Sequence, residues 1–462
     1  MDKFSLPHDS KMLTRDFTFG VATSSYQIEG GVAEGGRTPS IWDSFCRTPG
    51  KVDNGDTGDV ACDHFHLWKQ DIAMIKSLGV DAYRLSIAWP RIMPTDGVVN
   101  QEGLAFYERI IDECHALGMK VSVTLYHWDL PQYLEDKGGW LNRETAYKFA
   151  VYADVVSQHF GDKIDSYTTL NEPFVSAFLG YRWGEHAPGI KGESEGFLAS
   201  HHLMLGHGLA MPMLRKNAPK AQCGVVFNAS PSYPLTEADQ AAAEYNEAEN
   251  YQWFIDPVLK GEYPAVVMEK RKMHMPMILK GDLEIISAPV DYIGINYYSR
   301  NVAKFDDKGN VKTVPQTEAE KTYIGWEVYP QGLTDLMVRL NDRYDNLPPI
   351  YITENGAAGN DKLIDGVVND EQRVRYLQNH LVAVDSAIKA GVNIAGYYVW
   401  SLMDNFEWAY GYTQRFGIVY VDYETQERTL KQSALAYQNM LKERNQLFAQ
   451  EQQLTQACAE EI

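Results

Sequence analysis

The sequence predicts an α/β protein in which 462 residues form a single (β/α)8 TIM barrel, with an active site at the carboxyl ends of the strands. Eight short β-rich runs alternate with longer helical patterns, and no change of composition marks a linker. Strands that alternate with helices run parallel and are joined by crossover helices. A closed ring is the most economical arrangement of eight such units.

The eight predicted strands are short runs rich in β-branched and aromatic residues. They are Phe17–Ala22, Ala82–Ile87, Lys120–Tyr126, Ser166–Leu170, Cys223–Asn228, Tyr292–Asn296, Pro349–Thr353 and Ile394–Trp400. Between them, segments such as Phe65–Leu78 and Gly103–Leu117 carry apolar residues at spacings of three and four, which is typical of amphipathic helices. An open doubly wound sheet is the alternative, but the glycines of residues 30–36 lack the spacing of a dinucleotide-binding turn.

The barrel is expected to fill most of the chain. We expect an N-terminal extension over residues 1–15, the barrel catalytic domain over 16–444 and a C-terminal tail over 445–462, which extends the last helix and then frays. The polar stretches 230–250 and 300–330 are expected to be long excursions between a strand and the next helix.

Charge and cysteine content exclude several classes of protein. Lys and Arg number 42 and Asp and Glu number 62, a net charge of −20, so neither nucleic acid nor an anionic membrane is an expected partner. Five scattered cysteines without a CxxC pair predict reduced thiols. The N-terminal residues lack the apolar core of a signal peptide, so we expect a cytoplasmic protein, with homo-oligomers left possible.

Two predicted strands end at a glutamate. Glu172 follows the fourth strand in the motif TLNEP, and Glu354 follows the seventh in YITENG. A carboxylate at the end of an apolar strand is costly unless it has partners or a function. Taken singly, each glutamate could cap a helix or pair with a surface lysine. Two facing carboxylates at the mouth of a barrel predict glycoside hydrolysis.

Aromatic and polar side chains follow two further strands. The third strand ends in His127 and Trp128, and the eighth is followed by Glu407 and Trp408. Sugars present hydroxyls around the ring and apolar C–H faces above and below it, so they bind polar groups beside flat aromatic rings. A single tryptophan is more typical of a core, but a glutamate next to one is harder to explain that way.

Eight motifs occur in order between about Asp16 and Arg444: DFTFGVATSSYQIEG, AYRLSIAWPRIMP, TLYHWDLP, TLNEP, INYYSR, GWEVYP, YITENGA and WSLMDNFEWAYGYTQRFGIVYVD. With them the chain resembles the family 1 glycoside hydrolases, which are retaining β-glucosidases and β-galactosidases built on a (β/α)8 barrel. The resemblance implies hydrolysis of terminal β-D-glucosyl residues from cellobiose, cello-oligosaccharides or aryl glucosides. Side activity on β-galactosides and β-fucosides, and a role in cellulose and polysaccharide degradation, are implied as well.

The resemblance also implies roles for individual residues. Glu354 would be the nucleophile and Glu172 the acid/base, and no metal or cofactor would take part. Arg84 and Tyr298 would steady the nucleophile. The other implied sugar-binding residues are Gln27, His127, Trp128, Asn171, Asn296, Trp326, Trp400, Glu407, Trp408 and Phe416, with Trp400 as the stacking floor and Trp326 at the entrance. Tyr410 departs from the acidic residue that family members commonly have there, which bears on aglycone preference.

Three alternatives remain at this level. A 6-phospho-β-glycosidase on the same barrel is disfavoured because Glu407 would repel a 6-phosphate. A non-catalytic sugar-binding barrel is disfavoured because both carboxylates are present. A metal-dependent barrel hydrolase would have to use His64 with His66 or His201 with His202. The first pair lies after an acidic loop at a helix start and the second within a helical pattern, and no set of Asp, Glu or His residues converges with either.

Overall fold

The computed structural model describes residues 3–460, with side chains described for residues 3–449. Eight parallel strands close into one barrel in chain order, and the last strand pairs with the first. They are β1 Thr18–Ala22, β2 Ala82–Ser86, β3 Lys120–Tyr126, β4 Ser166–Asn171, β5 Gln222–Asn228, β6 Tyr292–Asn296, β7 Ile350–Asn355 and β8 Ile394–Trp400. The predicted fold class is confirmed.

Helices follow the strands and surround the barrel. The longest segments in order are His64–Ser77, Gln101–Ala116, Glu144–Phe160, Glu193–Asn217, Pro330–Arg343, Glu371–Lys389 and Gln432–Glu460. The connection from β5 to β6 is built from shorter helices: Gln240–Glu247, Trp253–Leu259, Ala265–Lys270 and Asp282–Ile286. Each of the longer helices turns an apolar face to the barrel, as the spacing of apolar residues predicts.

Two strands extend beyond their predicted ends. β4 includes Asn171 and β7 runs to Asn355, so Glu354 is the penultimate residue of β7 and does not follow the strand. The prediction stopped short because these residues are polar, whereas the backbone pairing continues: Glu354 stands in register with Asn296 of β6 across a register shift. Polar side chains therefore reach the barrel mouth from the rigid strands themselves.

Glycines make room for large polar and aromatic side chains inside the barrel. A Cβ on Gly20 of β1 would lie 2.4 Å from the ring of Tyr398 on β8, and one on Gly294 would lie 2.7 Å from Thr353. Because these positions are bare, the barrel interior accommodates the ring of Tyr398 and the side chain of Thr353. Arg84 of β2 is fully buried as well.

The two polar stretches between strands and helices pair with each other. Ser232–Pro234 from the first stretch pairs in parallel with Asn301–Phe305 from the second, and that strand pairs antiparallel with Val311–Thr313. This small sheet is an addition to the predicted fold, because neither stretch has the alternating apolar pattern of a strand. Among the described residues, no helix is both long and apolar enough to span a membrane.

Four of the cysteines are free thiols buried within the fold: Cys46, Cys62, Cys114 and Cys223. Burial raises the pKa of each of them, to about 11 for Cys46 and to about 12 for Cys114. Thiols of this kind are packed as small apolar groups and are weak nucleophiles. Cys458 lies outside the part of the chain whose side chains are described.

Candidate active site

A cavity of about 770 Å³ opens at the carboxyl ends of the barrel strands. Eleven of the fourteen predicted site residues line it: His127, Trp128, Glu172, Asn296, Tyr298, Trp326, Glu354, Trp400, Glu407, Trp408 and Phe416. The remaining three, Gln27, Arg84 and Asn171, are buried behind these residues. The strand ends of the barrel thus bring together side chains that are far apart in sequence.

Glu354, near the end of β7, is buried and held by two donors. Arg84 donates from Nη1 to Oε1 at 2.8 Å, and the hydroxyl of Tyr298 donates to Oε2 at 2.7 Å. Burial raises the pKa of Glu354 above its ordinary value, and the charge of Arg84 and these hydrogen bonds oppose that rise. Both carboxylate oxygens are fixed, and the guanidinium favours the ionised form that a nucleophile requires.

Glu172 directly follows β4 with a strained backbone and a φ of 47°. Asn296 donates from Nδ2 to its Oε1 at 2.6 Å. Burial, with the negative charge of Glu354 second, raises the pKa of Glu172 to about 8. Among the described residues Arg84 is ion-paired with Glu354 and no cation is ion-paired with Glu172, so the environment favours the ionised form at Glu354 and the protonated form at Glu172.

Two asparagines connect the glutamates to the barrel. Asn171 Oδ1 accepts from Arg84 Nη2 at 2.7 Å and from Asn296 Nδ2 at 3.1 Å, and Thr353 donates to Asn296 Oδ1 at 2.6 Å. These contacts fix both amide orientations, because each amide oxygen accepts and each amide nitrogen donates. Glu172, Glu354 and their supports therefore form one rigid polar layer across β2, β4, β6 and β7.

The orientation of Asn171 also determines the tautomer of His127. Asn171 Nδ2 lies 3.2 Å from His127 Nε2, and since the amide nitrogen donates, Nε2 accepts. Burial and the charge of Arg84 lower the pKa of His127, so the ring is neutral and carries its proton on Nδ1. Nδ1 is buried without a partner among the described residues, leaving one N–H donor for a ligand.

The aromatic rings form a group around the inner end of the cavity. The ring centroids of Trp128 and Trp408 are 4.5 Å apart, and His127 stacks on Trp400 at 5.7 Å. Trp128 and Trp408 both have a positive φ, of 81° and 49°. Bulky residues rarely adopt this conformation, and strained backbone of this kind clusters at ligand sites. Phe416, Trp326 and Tyr298 form a second ring group beside Glu354.

Glu407 places a further carboxyl group in the cavity. Its side chain is buried, and Oε2 has no hydrogen-bond partner in the described part of the chain. Burial, with the charge of Glu354 second, raises the pKa of Glu407 to about 8. A buried carboxyl oxygen that lacks a protein partner is suited to accept hydrogen bonds from ligand hydroxyls.

Gln27 lies behind the cavity lining. Its Nε2 donates to Asn405 Oδ1 at 3.0 Å and to the carbonyl of Phe406 at 2.8 Å, and its Oε1 accepts from Ser24 at 2.6 Å. The side chain is fully buried and both amide N–H groups are occupied. Gln27 therefore fixes the segment next to Glu407, and its predicted contact with sugar stays a prediction.

Several cavity residues were missed by the sequence analysis. Asn228, at the end of β5, has a buried Oδ1 without a described partner, and the strand-end rule that found the glutamates could have found it. His186 also lines the cavity, with a buried and unpartnered Nδ1. It comes from a loop after the π-helical segment Val175–Arg182, and no sequence signal marked it. Tyr410, which the sequence analysis did name, lines the same cavity and is 42% exposed.

The histidine pairs considered as metal ligands have other partners. His64 contacts Asp71, and His66 lies between Asp63 and Glu34. His201 contacts Asp282 and Tyr263, while His202 bonds to a backbone carbonyl. In the described residues, no group of three or more His, Cys, Asp or Glu side chains is arranged to hold a metal ion.

The closed barrel and its pair of buried glutamates define the class of barrel glycoside hydrolases. Residues 9–446 match the model of the family described as glycosyl hydrolase family 1. The chain is 45% identical over 438 residues to β-glucosidase A of Thermotoga maritima, covering 94% of this chain and 98% of that protein. It is 47% identical over 430 residues to a β-glucosidase of Agrobacterium sp., covering 91% and 94%. The chain therefore belongs to glycosyl hydrolase family 1.

Two solved structures and one further relative by sequence agree with this assignment. The β-glucosidase from Thermotoga maritima in complex with deoxynojirimycin superposes with a TM-score of 0.90 at 46% identity, covering 93% of this chain and 98% of that one. The family 1 β-glucosidase from Exiguobacterium antarcticum has a TM-score of 0.91 at 46% identity, covering 94% and 98%. A bifunctional β-D-glucosidase/β-D-fucosidase from Bifidobacterium breve is 46% identical over 446 residues, covering 91% and 96%.

Proposed function

We propose that this protein is a retaining β-glucosidase that removes terminal β-D-glucosyl residues in two steps through a covalent glycosyl-enzyme. The observation that carries the proposal is the unequal environment of two buried glutamates in one cavity. Glu354 accepts from Arg84 and Tyr298, while Glu172 has no cationic partner and a pKa raised to about 8. Pairs of buried carboxyl groups in unequal environments are typical of glycoside hydrolysis.

In the first step, the Glu354 carboxylate attacks the anomeric carbon and forms an ester as the bond to the aglycone oxygen breaks. Glu172 donates its proton to that oxygen, so the aglycone leaves as a neutral alcohol or phenol. Esterification removes the negative charge of Glu354, which lowers the pKa of Glu172. In the second step, Glu172 takes a proton from water, the water oxygen attacks the anomeric carbon, and Glu354 is released as a carboxylate.

The polar groups left over in the cavity support a sugar ligand. Among the described residues, His127 Nδ1 is a donor without a partner and Glu407 Oε2 and Asn228 Oδ1 are acceptors without one, so the cavity offers both kinds of partner to ring hydroxyls. Trp400 and Trp408 offer flat faces for the apolar side of the ring. Buried polar atoms without partners are rare in native proteins, and a ligand rich in hydroxyls would satisfy all three.

The chemistry can be tested by product stereochemistry. Hydrolysis of a nitrophenyl β-D-glucoside, followed by proton NMR, should release β-glucose before mutarotation. With azide and an activated substrate, Glu354→Gly should give the α-glucosyl azide and Glu172→Gly the β-glucosyl azide. The reverse assignment of the two azides would refute the roles, and α-glucose as the first product would refute retention.

The range of substrates is the finer part of the proposal. We expect β-glucosides to be the best substrates, cellobiose and cello-oligosaccharides to be cleaved, and β-galactosides or β-fucosides to be side substrates. The fucosidase activity named for the Bifidobacterium breve relative supports the last expectation. A panel of nitrophenyl glycosides together with cellobiose tests this order, and a galactoside or fucoside preferred over glucoside by tenfold would contradict it.

The panel also separates the two remaining alternatives. A 6-phospho-β-glycosidase would prefer nitrophenyl glucoside 6-phosphate to the unphosphorylated glucoside. A non-catalytic sugar-binding barrel would bind deoxynojirimycin and release no nitrophenol. Cytoplasmic residence and homo-oligomer formation stay predictions from the sequence.

A further inference from the structure

Six charged side chains form a buried cluster behind the active-site cavity. The Lys431 cluster consists of the cations Arg373, Arg415 and Lys431 and the anions Asp361, Asp370 and Asp404. Five of these side chains are at most 5% exposed and the sixth, Arg415, is 17% exposed. Three positive charges balance three negative ones, as burial requires.

Lys431 joins two loops that come from neighbouring strands. Its Nζ donates to Asp361 Oδ2 at 2.5 Å and to Asp404 Oδ1 at 2.6 Å. Asp361 lies in the loop that follows Glu354 on β7, and Asp404 lies in the loop that follows β8. Burial and the charge of Arg373 lower the pKa of Lys431, and the charges of Asp404 and Asp361 oppose that lowering.

Asp404 closes the loop that carries the sugar-facing residues. Its Oδ1 accepts from the backbone N–H of Gly417 at 3.0 Å, so residues 404 and 417 are held together at the base of the loop. A Cβ on Gly417 would lie 2.0 Å from the Asp404 backbone nitrogen, and only glycine permits this approach. Glu407, Trp408 and Phe416 lie between these two points and line the cavity.

Arg373 completes the link between the loops. It donates to the carbonyl of Ala357 at 2.9 Å, to the carbonyl of Arg415 at 2.7 Å and to Asp361 at 2.7 Å. The backbone of Gly359 also donates to the Arg415 carbonyl at 2.9 Å. The loop after the proposed nucleophile and the loop with Glu407 are therefore connected through charged groups buried outside the cavity.

We propose that Lys431 is a positioning residue that sets Glu407 relative to Glu354, although it touches neither the cavity nor the reacting atoms. The proposal rests on the proposed function, in which Glu407 accepts hydrogen bonds from the sugar. Without the ammonium group, Asp361 and Asp404 lose the cation between them and the loop base carries an unbalanced charge. A displacement of about 1 Å at Glu407 is enough to lower turnover by about 100-fold.

The test is a double-mutant cycle between Lys431→Met and Glu407→Gln, measured on a nitrophenyl β-D-glucoside. Lys431→Met should lower kcat/KM by about 10- to 100-fold in the wild-type background and by less than about threefold in the Glu407→Gln background, because its effect passes through Glu407. Equal losses in both backgrounds, or no loss in the wild type, would overturn the proposal.

Two further variants separate positioning from stability. Lys431→Met/Asp361→Asn removes one cation and one anion, so it should recover part of the thermal stability lost in Lys431→Met without recovering kcat/KM. Recovery of full activity in the double variant would show that only charge balance mattered and would overturn the proposal. Lys442→Met replaces an exposed lysine on the helix that begins directly after Lys431, and it serves as the matched control.

Calorimetric titration with deoxynojirimycin repeats the cycle without turnover. If Lys431→Met weakens binding through Glu407 while the wild type releases no nitrophenol, the positioning role stands and the proposed hydrolysis fails. If the wild type hydrolyses glucoside and the cycle is additive in both measurements, the hydrolysis stands and the positioning role fails.

Discussion

Replacement of Glu407 by glutamine should make the protein more stable at neutral pH and less active. The Glu407 carboxyl group is buried in the cavity, its Oε2 has no partner among the described residues, and its pKa is raised from 4.5 to about 8. Glutamine keeps the shape and polarity of the side chain and removes its titration. The variant therefore isolates the energetic effect of holding an ionisable group in this position.

The size of the effect follows from the two pKa values. Between pH 4.5 and 8 the native state binds a proton that the unfolded state has lost, so stability falls as the pH rises. The stability contributed by the protonated carboxyl group is fully present below about pH 4.5, and it is lost as the pH rises through the folded-state pKa of about 8. At about 1.4 kcal/mol per pH unit, the loss relative to the glutamine variant is about 3 kcal/mol at pH 7. About 1 kcal/mol of that loss is already present near pH 5.

The assay is thermal unfolding of both proteins at pH 5 and pH 7. A chain of 462 residues has an unfolding entropy of about 1 kcal/mol/K, so the melting temperature of Glu407→Gln should exceed that of the wild type by about 3 °C at pH 7 and by about 1 °C at pH 5. Exposed Glu424→Gln is the control and should show no such trend. A gap that is the same at both pH values, or that widens at pH 5, would refute the reasoning.

Three further predictions concern the glutamate pair. For a nitrophenyl glucoside, kcat/KM should fall as the pH rises through about 8, where Glu172 loses its proton. A dinitrophenyl leaving group needs no proton, so it should abolish this alkaline limb of the pH profile. An alkaline limb that persists would contradict the assignment of Glu172 as the acid. Arg84→Met should raise the pKa of Glu354 and move the acidic limb of the same profile to higher pH. An acidic limb that does not move would show that the guanidinium of Arg84 does not favour ionisation of Glu354. Asn296→Ala removes the 2.6 Å hydrogen bond to Glu172 and should shift the alkaline limb upward while lowering kcat/KM by about 10- to 100-fold, as pH profiles of the two proteins can show.

The barrel could be predicted because its strands and helices differ in the period of their apolar residues. All eight predicted strands occur, since a buried parallel strand is a continuous apolar run that contrasts with the helical spacing on either side. The ends of β4 and β7 were predicted too short because the last residues are polar, although the ladder continues through them. The short strand Ser232–Pro234 was missed because its pairing partner is distant in sequence and neither segment shows alternation.

The site could be predicted only in part, for a related reason. Functional side chains that end a strand have a position fixed by the barrel, so a rule about strand ends reaches Glu172 and Glu354. His186 comes from a loop whose path no local pattern determines, and it was missed. The Lys431 cluster was missed as well, because in the sequence a buried lysine or aspartate is indistinguishable from a surface residue, and its burial depends on partners supplied by three separate segments.

The carboxyl groups in the cavity and the charges of the Lys431 cluster have opposite electrostatic requirements. In the cavity, Glu172 and Glu407 are buried without cationic partners, and an opposite charge beside either one would lower the raised pKa that keeps the proton in place. Behind the cavity, the Lys431 cluster pairs every charge, and an unpaired one would leave the loop base unsatisfied. Arg84 lies between the two groups of charges: it forms an ion pair with Glu354 from inside the barrel and acts on Glu172 only through its charge. A single additional cation in the cavity would therefore stabilise the fold and remove the proton that the first chemical step requires.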